Sequence, residues 1–174
     1  MNKPQTQTSF AVEKSVAPES HILPGNHKDT AKELPEVYYK NGKGAVGKVD
    51  RKNLENWFRE ARQGKPQAQY NLGVVYFKGV GVSTDHEEAF KWFARAAEKG
   101  SAPGQGFLGV MYENGQGIPQ DYVRAHMWFN IAASSGNKVA SENRDIVAKR
   151  MTASQIETAQ RLAQECEKKN YKGC

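Results

Sequence analysis

The sequence predicts an all-α fold: a short solenoid of helix–turn–helix repeats that follows an irregular N-terminal segment. Three observations lead to this prediction. The chain repeats itself with a period of 36 residues, and its apolar residues follow helical spacing from about residue 50 onward. Glycines and aspartates also stand where such helices would end and begin. A fixed period of this length is typical of stacked arrays, in which each unit packs only against its neighbours.

The N-terminal segment, residues 1–48, is predicted to be disordered or irregular. It contains four prolines and no sustained apolar period, so at most a short turn or strand is expected around Val37-Tyr38-Tyr39. The whole chain of 174 residues is 38% hydrophobic, which is low for a compact globule and agrees with such a segment beside a thin core. Residues 49–174 are assigned to the solenoid.

The repeat appears when residues 68–103 are placed over residues 104–139. Many of the identical positions hold tryptophan, tyrosine or glycine, which rarely coincide by accident. The fourteen identities are Gln69/Gln105, Leu72/Leu108, Gly73/Gly109, Val74/Val110, Tyr76/Tyr112, Gly79/Gly115, Gly81/Gly117, Asp85/Asp121, Ala89/Ala125, Trp92/Trp128, Phe93/Phe129, Ala96/Ala132, Ala97/Ala133 and Gly100/Gly136.

Each repeat is predicted to contain two helices. The first runs from 66 to 78 in the first unit, and Gly73 beside its apolar stripe indicates a close approach of the neighbouring helix. Asp85 is expected to cap the second helix, with Glu88 completing a capping box, and Gly100 is expected to end it. The buried stripe of this helix is Ala89, Trp92, Phe93 and Ala96.

Partial units are expected at both ends of the two full repeats. Upstream, a degenerate helix over residues 50–64 contains Trp57-Phe58, which echoes the tryptophan–phenylalanine pair of each second helix. Downstream, residues 138–169 are predicted to form two capping helices, the second of which starts at a capping-box pattern, Thr152 to Gln155. A terminal unit with a polar outer face keeps a solenoid soluble.

Sequence patterns that suggest catalysis or cofactor binding lack their necessary context. Gly42–Lys48 imitates a phosphate-binding loop, but Val49 stands where a metal-binding Ser or Thr is needed, so we interpret the segment as a flexible Gly/Lys linker. The histidines show no metal-ligand spacing, and no nucleophile or paired carboxylates stand out. The sequence therefore predicts no enzyme, no cofactor, no metal and no small-molecule substrate.

The charge and the N-terminus leave some alternatives open. The net charge is +6, and residues 40–65 are rich in Lys and Arg, which allows a basic module that binds nucleic acid or an anionic membrane. Aromatic residues do not alternate with these charges, so nucleic acid is not favoured. With no signal peptide, a cytoplasmic location follows if Met1 is the true start, and a periplasmic or secreted one if the chain is processed.

Several segments resemble the Sel-1-like repeat family, bacterial type. They are Tyr70-Asn71-Leu72-Gly73-Val74-Val75-Tyr76-Phe77-Lys78-Gly79-Val80-Gly81, Leu108-Gly109-Val110-Met111-Tyr112-Glu113-Asn114-Gly115-Gln116-Gly117 with Trp128-Phe129, and the capping segment from Ala148 to Ala163. The resemblance covers residues 50–170. It implies a TPR-like right-handed α/α superhelix that acts as an adaptor between other proteins. Gly104 and Gly106 depart from the family pattern and predict a first helix that frays or presents a notch.

The expected function is a non-catalytic scaffold that binds a peptide or a partner helix on the concave face of the solenoid, as a plausible monomer. Core packing remains the alternative role for each candidate contact. A remote alternative, taken from the resemblance, is an enzyme that interacts with β-lactams. The candidate partner-binding residues are Tyr70, Asn71, Phe77, Phe107, Met111 and Asn114.

The two cysteines, Cys166 and Cys174, stand on the last helix and at the end of the chain. A disulfide between them would hold the tail against that helix and contribute about 2.5 kcal/mol in the chain-entropy model. Disulfide and free thiols both remain open from the sequence.

Overall fold

The structure, a computed structural model, describes residues 38–40, 46–48 and 51–174. These residues belong to one compact unit, Leu34–Cys174, whereas the other unit, Met1–Glu33, lies outside the described residues. Most of residues 1–48, predicted to be disordered or irregular, therefore also lies outside them.

Seven α-helices make up the described chain from residue 51 onward, which confirms the all-α prediction. From α1 to α6 each helix packs against the next, as expected for a solenoid. We call α2, α4 and α6 the first helices and α1, α3 and α5 the second helices. The bounds are α1 (Arg51–Arg62), α2 (Pro66–Lys78), α3 (His86–Glu98), α4 (Ala102–Asn114), α5 (Tyr122–Ser134), α6 (Lys138–Ala148) and α7 (Ala153–Lys168).

A small antiparallel hairpin precedes the helices. Its strands are β1 (Tyr38–Lys40) and β2 (Val46–Lys48), with Tyr39 opposite Gly47 in the register. The first strand agrees with the short strand expected around Tyr38 and Tyr39. The linker interpretation is wrong for Val46–Lys48, because backbone pairing with β1 holds these residues in an extended conformation that their glycine content does not reveal.

Side-chain caps begin the helices where the sequence predicts them. The Asp85 carboxylate accepts from the Glu88 backbone N–H at 2.9 Å, and Asp121 does the same for Arg124 at 3.0 Å. The predicted capping box at Asp85 is only half formed, since the Glu88 carboxylate instead pairs with Lys91 at 3.2 Å. At α7 the box is complete, with both hydrogen bonds between Thr152 and Gln155 present.

A glycine–phenylalanine contact joins the two helices of each repeat. A Cβ atom added at Gly73 would lie 2.5 Å from the Phe93 ring, and one added at Gly109 would lie 2.5 Å from the Phe129 ring. Both phenylalanines are 0% exposed. The glycines therefore permit the close helix approach that the sequence predicts, and their cost in helix propensity is offset by packing.

A buried glutamine joins α2 to the preceding α1, and another joins α4 to the preceding α3. The Gln69 amide donates to the Ala61 carbonyl at 3.2 Å, and the Gln105 amide donates to the Ala97 carbonyl at 3.4 Å. These carbonyls lie in the last turns of α1 and α3, where each also accepts a backbone hydrogen bond: the Gly64 N–H donates to Ala61 at 3.0 Å and the Gly100 N–H donates to Ala97 at 2.9 Å. The glutamine is thus a repeated connection between neighbouring units.

The predicted weakness at the start of α4 is absent from its geometry. The helix is regular from Ala102, and Ser101 caps it by accepting from the Gly104 backbone N–H at 3.3 Å. A Cβ on Gly104 would lie 2.9 Å from the Ala96 Cβ, so Gly104 serves close packing against α3. No notch opens at Gly106, since the Asn137 amide nitrogen would lie 3.3 Å from a Cβ there.

The last helix, α7, packs on α5 and does not form a hairpin with α6. Its buried residues, Ala159 and Ala163, share a core cluster with Met127 and Ile131 of α5. One repeat earlier, the positions of Met127 and Ile131 hold Lys91 and Arg95. The expected capping pair is therefore split, because α5 is apolar on a face that is charged in α3 and α7 covers that face.

We expect Gly73→Ala to destabilise the protein although alanine favours helices. Overpacking against the Phe93 ring costs up to about 3 kcal/mol and the gain in helix propensity is about 1 kcal/mol, which leaves a net loss of up to about 2 kcal/mol in the free energy of unfolding. Urea denaturation measures this change. The matched control is Gly106→Ala, which meets only a half-buried amide and should stabilise by up to about 1 kcal/mol. Equal gains from both variants would contradict the packing role of Gly73.

His126 is the buried titratable group of the second repeat. It is 3% exposed, and its Nδ1 atom has no hydrogen-bond partner among the described residues. Burial lowers the pKa of His126 below its usual value of 6.5, the Arg144 guanidinium lowers it further, and Asp145 partly offsets the change. Phe90 holds the same position in the first repeat, so a neutral ring suits this site.

The free energy of unfolding should therefore fall as the pH falls below about 6.5, because the unfolded chain takes up a proton that the folded chain excludes. One such group contributes at most about 1.4 kcal/mol per pH unit. Urea midpoints at about pH 7.5 and 5.5 measure the difference. In His126→Phe most of the difference should disappear, whereas the control His86→Phe should keep it. An unchanged pH dependence in His126→Phe would contradict the assignment.

Candidate protein-interaction surface

The first helices bring three of the predicted contact residues into one aromatic group. Phe107 of α4 stacks on the buried Phe93 with ring centroids 4.7 Å apart. Tyr70 and Phe77 of α2 meet Phe107 edge-on, at 5.7 and 5.8 Å. All three are half-buried, and burial raises the pKa of Tyr70. The group thus joins two first helices and leaves part of each ring at the surface.

Asn71, another predicted contact, lies inside the junction between α1 and α2. It is 8% exposed. In the amide orientation that satisfies its neighbours, its oxygen accepts from the Trp57 indole N–H at 3.1 Å and its nitrogen donates to the Gln67 carbonyl at 3.3 Å. Asn71 therefore acts in packing between repeats, the alternative that the sequence left open for it.

The next repeat lacks this hydrogen bond. Trp92 corresponds to Trp57 at a spacing one residue short of the period, and Phe107 occupies the position of Asn71. The Trp92 indole nitrogen is buried without a hydrogen-bond partner among the described residues, while the Arg95 guanidinium lies 4.5 Å from the ring centroid. The second repeat thus has an aromatic side chain at its surface at the cost of an unpaired N–H.

The remaining two predicted contacts have opposite environments. Met111 is 0% exposed and belongs to the main core cluster, so its prediction as a surface contact is wrong. Its helical position points inward, like that of the buried Val75 one repeat earlier. Asn114 is exposed, and its amide donates to the Val110 carbonyl at 3.1 Å at the end of α4.

An aliphatic series crosses the first helices, and its residues are not among the contacts predicted from the sequence. Adding 36 twice to position 74 gives Val74, Val110 and Ile146, one residue on each first helix. Val139, two turns before Ile146, is 63% exposed and Ile146 is 48% exposed; they are the exposed large hydrophobic residues of the described chain. Extending the 36-residue offset into α6 would have revealed this series. We call Val74, Val110, Val139 and Ile146 the aliphatic ladder.

The basic segment forms a different kind of surface. In α1 the aromatic side chains are buried, with Trp57 7% and Phe58 6% exposed, so they offer no platform for stacking bases. Lys65 pairs with Glu60 at 2.7 Å, and this contact is the main cause that lowers the pKa of Glu60. The described part of residues 40–65 therefore presents exposed cations without exposed rings.

Two structural findings bear on other kinds of site. Within the described residues, no group of three or more His, Cys, Asp or Glu side chains is arranged to hold a metal ion. Among the same residues, no helix has the length and apolar character needed to cross a bilayer.

The cysteines are joined in the structure. Cys166 of α7 and Cys174 at the end of the chain form a disulfide whose Cα atoms lie 5.6 Å apart. Cys166 is 2% exposed, whereas Cys174 is half-buried. Of the two states left open by the sequence, the structure has the bonded one.

Comparisons with known proteins agree with this architecture. A family model of the Sel1 repeat matches residues 66–101 and 102–137, two residues earlier than the repeat frame chosen from the sequence. None of the curated proteins matches the chain.

Two solved structures are similar to the chain. One is a protective antigen present in uropathogenic Escherichia coli strains that displays an SLR fold; it is 35% identical, with a TM-score of 0.65, and the match covers 69% of this chain and 27% of that one. The other is a Sel1 repeat protein from Oxalobacter formigenes, 40% identical with a TM-score of 0.52, covering 55% of this chain and 28% of that one. The chain thus spans about a quarter of the length of either. Residues 66–101 and 102–137 are thus two Sel1 repeats, within a helical fold similar to that of solved SLR proteins.

Proposed function

We propose that this chain binds a protein partner through the surface of its first helices. The Sel1-repeat fold is commonly a protein-interaction scaffold and is generally non-catalytic. The observation that carries the proposal is the aliphatic ladder, whose members Val139 and Ile146 are 63% and 48% exposed. Large aliphatic side chains gathered on one surface are typical of a contact region, because exposing them to water is unfavourable.

The position of the aliphatic ladder favours an elongated partner. Neighbouring packed helices lie about 8–10 Å apart, so three first helices present their aliphatic residues in a row of about 20 Å. A solenoid has its concave face along its first helices. Val74 and Val110 are half-buried against the core, and Val139 and Ile146 are exposed. Such a row suits an amphipathic helix or an extended peptide whose apolar side chains contact mainly the α6 end.

The aromatic group beside the aliphatic ladder is held rigidly by its own contacts. Tyr70, Phe77 and Phe107 are held by contacts with one another and with the buried Phe93, so they lose little further freedom when a partner binds. Rings that are already fixed and partly exposed are favourable anchor points in interfaces. The partner is therefore expected to contact both the aliphatic ladder and the edges of these rings.

Substituting the most exposed part of the aliphatic ladder should weaken binding and leave the fold intact. We expect Val139→Ser combined with Ile146→Ser to reduce affinity about tenfold or more, since each removes an aliphatic anchor worth about 1 kcal/mol or more. The probe is a helical peptide selected from a random library on the immobilised intact chain. Titration of that peptide against the wild type and the variant measures the loss.

The matched control is Gln160→Ser combined with Gln164→Ser, two exposed changes on α7 that should leave affinity unchanged. Repeating the titration at about 50 and 200 mM salt separates this proposal from a basic module, whose affinity would fall steeply. Selected peptides that bind the Val139/Ile146 variant as tightly as the wild type would contradict the proposed surface. So would binding that disappears at the higher salt concentration.

A further inference from the structure

The chain beyond α7 turns back sharply. Three residues of this end have left-handed backbone angles: Asn170 (φ 50°), Tyr171 (φ 65°) and Gly173 (φ 66°). Glycine adopts this conformation freely and asparagine tolerates it, but for tyrosine it is strained. We call Lys169–Cys174 the C-terminal strap. Its backbone bonds near the turn, such as Tyr171 N–H to the Cys166 carbonyl at 2.9 Å, join it only to α7.

The strap reaches two other elements of the solenoid. The Tyr171 ring lies beside the turn between α3 and α4, where a Cβ added to Gly100 would be 3.6 Å from it. The Arg124 guanidinium of α5 donates to the Cys174 carbonyl at 3.2 Å. Both Tyr171 and Cys174 also pack against the core cluster that contains Trp128. The strap therefore covers part of α5 and the end of α3.

Few noncovalent contacts hold the strap in its strained backbone conformation. The Arg124 bond is exposed to solvent, and such a bond adds little to stability. Strained backbone conformations persist only when the surrounding structure enforces them. The covalent link from Cys166 to Cys174 supplies that enforcement, because it returns the chain terminus to α7 whatever the strength of the other contacts.

α7 does not depend on this link in the same way. Ala159 and Ala163 are 0% exposed in its contact with α5, and the complete capping box of Thr152 and Gln155 fixes its start. The Glu167 carboxylate also accepts from the Ser134 hydroxyl at 2.9 Å. Breaking the disulfide would thus remove the main restraint on the strap and leave α7 attached.

We propose that the Cys166–Cys174 disulfide is a redox-operated latch, which holds the strap on α3 and α5 when oxidised and releases it when a dithiol reductant breaks the bond. Cys174 is the more accessible of the two, so a reductant thiolate attacks its Sγ atom. A bond forms between the reductant sulfur and Cys174, and Cys166 leaves as a thiolate that takes up a proton.

The second reductant thiol then attacks the reductant sulfur of this mixed disulfide. Cys174 leaves as a thiolate and takes up a proton, and the reductant becomes a cyclic disulfide. Two electrons and two protons have passed to the protein. The free strap no longer has to keep Tyr171 in the left-handed conformation, so the contacts with Gly100 and Arg124 are lost together.

The test compares the intact chain before and after treatment with dithiothreitol. Its mass should rise by two hydrogens on reduction, which establishes the bond in the starting material. Hydrogen exchange of peptides from residues 169–174 should then accelerate about tenfold or more, whereas exchange in α2 and α4 stays unchanged. Far-UV circular dichroism should keep its helical signal.

Three outcomes would overturn the proposal: no change in mass, equal protection of the strap in both states, or loss of protection throughout the helices on reduction. Cys174→Ser should show fast strap exchange with or without reductant. Arg124→Ala should keep slow exchange while the disulfide is intact and should match the reduced wild type after reduction. The matched control Arg161→Ala removes an exposed α7 cation paired with Glu165 and should change neither state. Reoxidation of the wild type should restore slow exchange.

Discussion

The close contact between a glycine on α2 or α4 and a phenylalanine on the second helix of the same repeat determines the geometry of both full repeats. At 2.5 Å between an added Cβ and the ring, the Gly73–Phe93 and Gly109–Phe129 contacts admit no side chain at the glycine. The two helices of a repeat are therefore fixed at one separation, and the same separation recurs 36 residues later. The glutamine bonds to Ala61 and Ala97 then fix each repeat against its predecessor.

The array stops where this contact can no longer form. In α6 the positions that correspond to Tyr70, Gly73 and Phe77, counted by two periods of 36, hold Glu142, Asp145 and Lys149. Each of these is charged, and Asp145 pairs with Arg144 at 2.9 Å instead of receiving a phenylalanine. A further second helix would bury these charges, which is unfavourable. The chain instead places α7 on the apolar face of α5, and the α6 position that would receive a phenylalanine holds the charged Asp145.

The sequence predicts local features well, but it predicts less well which helix faces and strands pack against each other. The period, the helix order, the caps at Asp85 and Asp121 and the role of Gly73 depend on residue type and spacing, which the sequence displays directly. The inward position of Met111 and the packing of α7 on α5 depend on which helix faces contact each other in the folded chain. The strand Val46–Lys48 is of the same kind, because it exists through pairing with the strand Tyr38–Lys40. An apolar residue on a first helix can pack in the core or contact a partner, and only its burial in the structure distinguishes these two roles.

The same repeat positions that keep the core constant allow the surface to differ between units. Trp57 and Trp92 are both buried, but the position of Asn71, which accepts the Trp57 indole proton, holds Phe107 one repeat later, and the Trp92 indole nitrogen has no partner among the described residues. A solenoid selected for stability alone would keep the asparagine, since an unpaired buried N–H costs about 1–3 kcal/mol. The exchange instead places a third ring beside Tyr70 and Phe77, next to the aliphatic ladder. The second repeat thus loses a buried hydrogen bond on the side of the molecule that has exposed aliphatic residues. This pattern is expected where binding, and not folding, determines the residue at position 107.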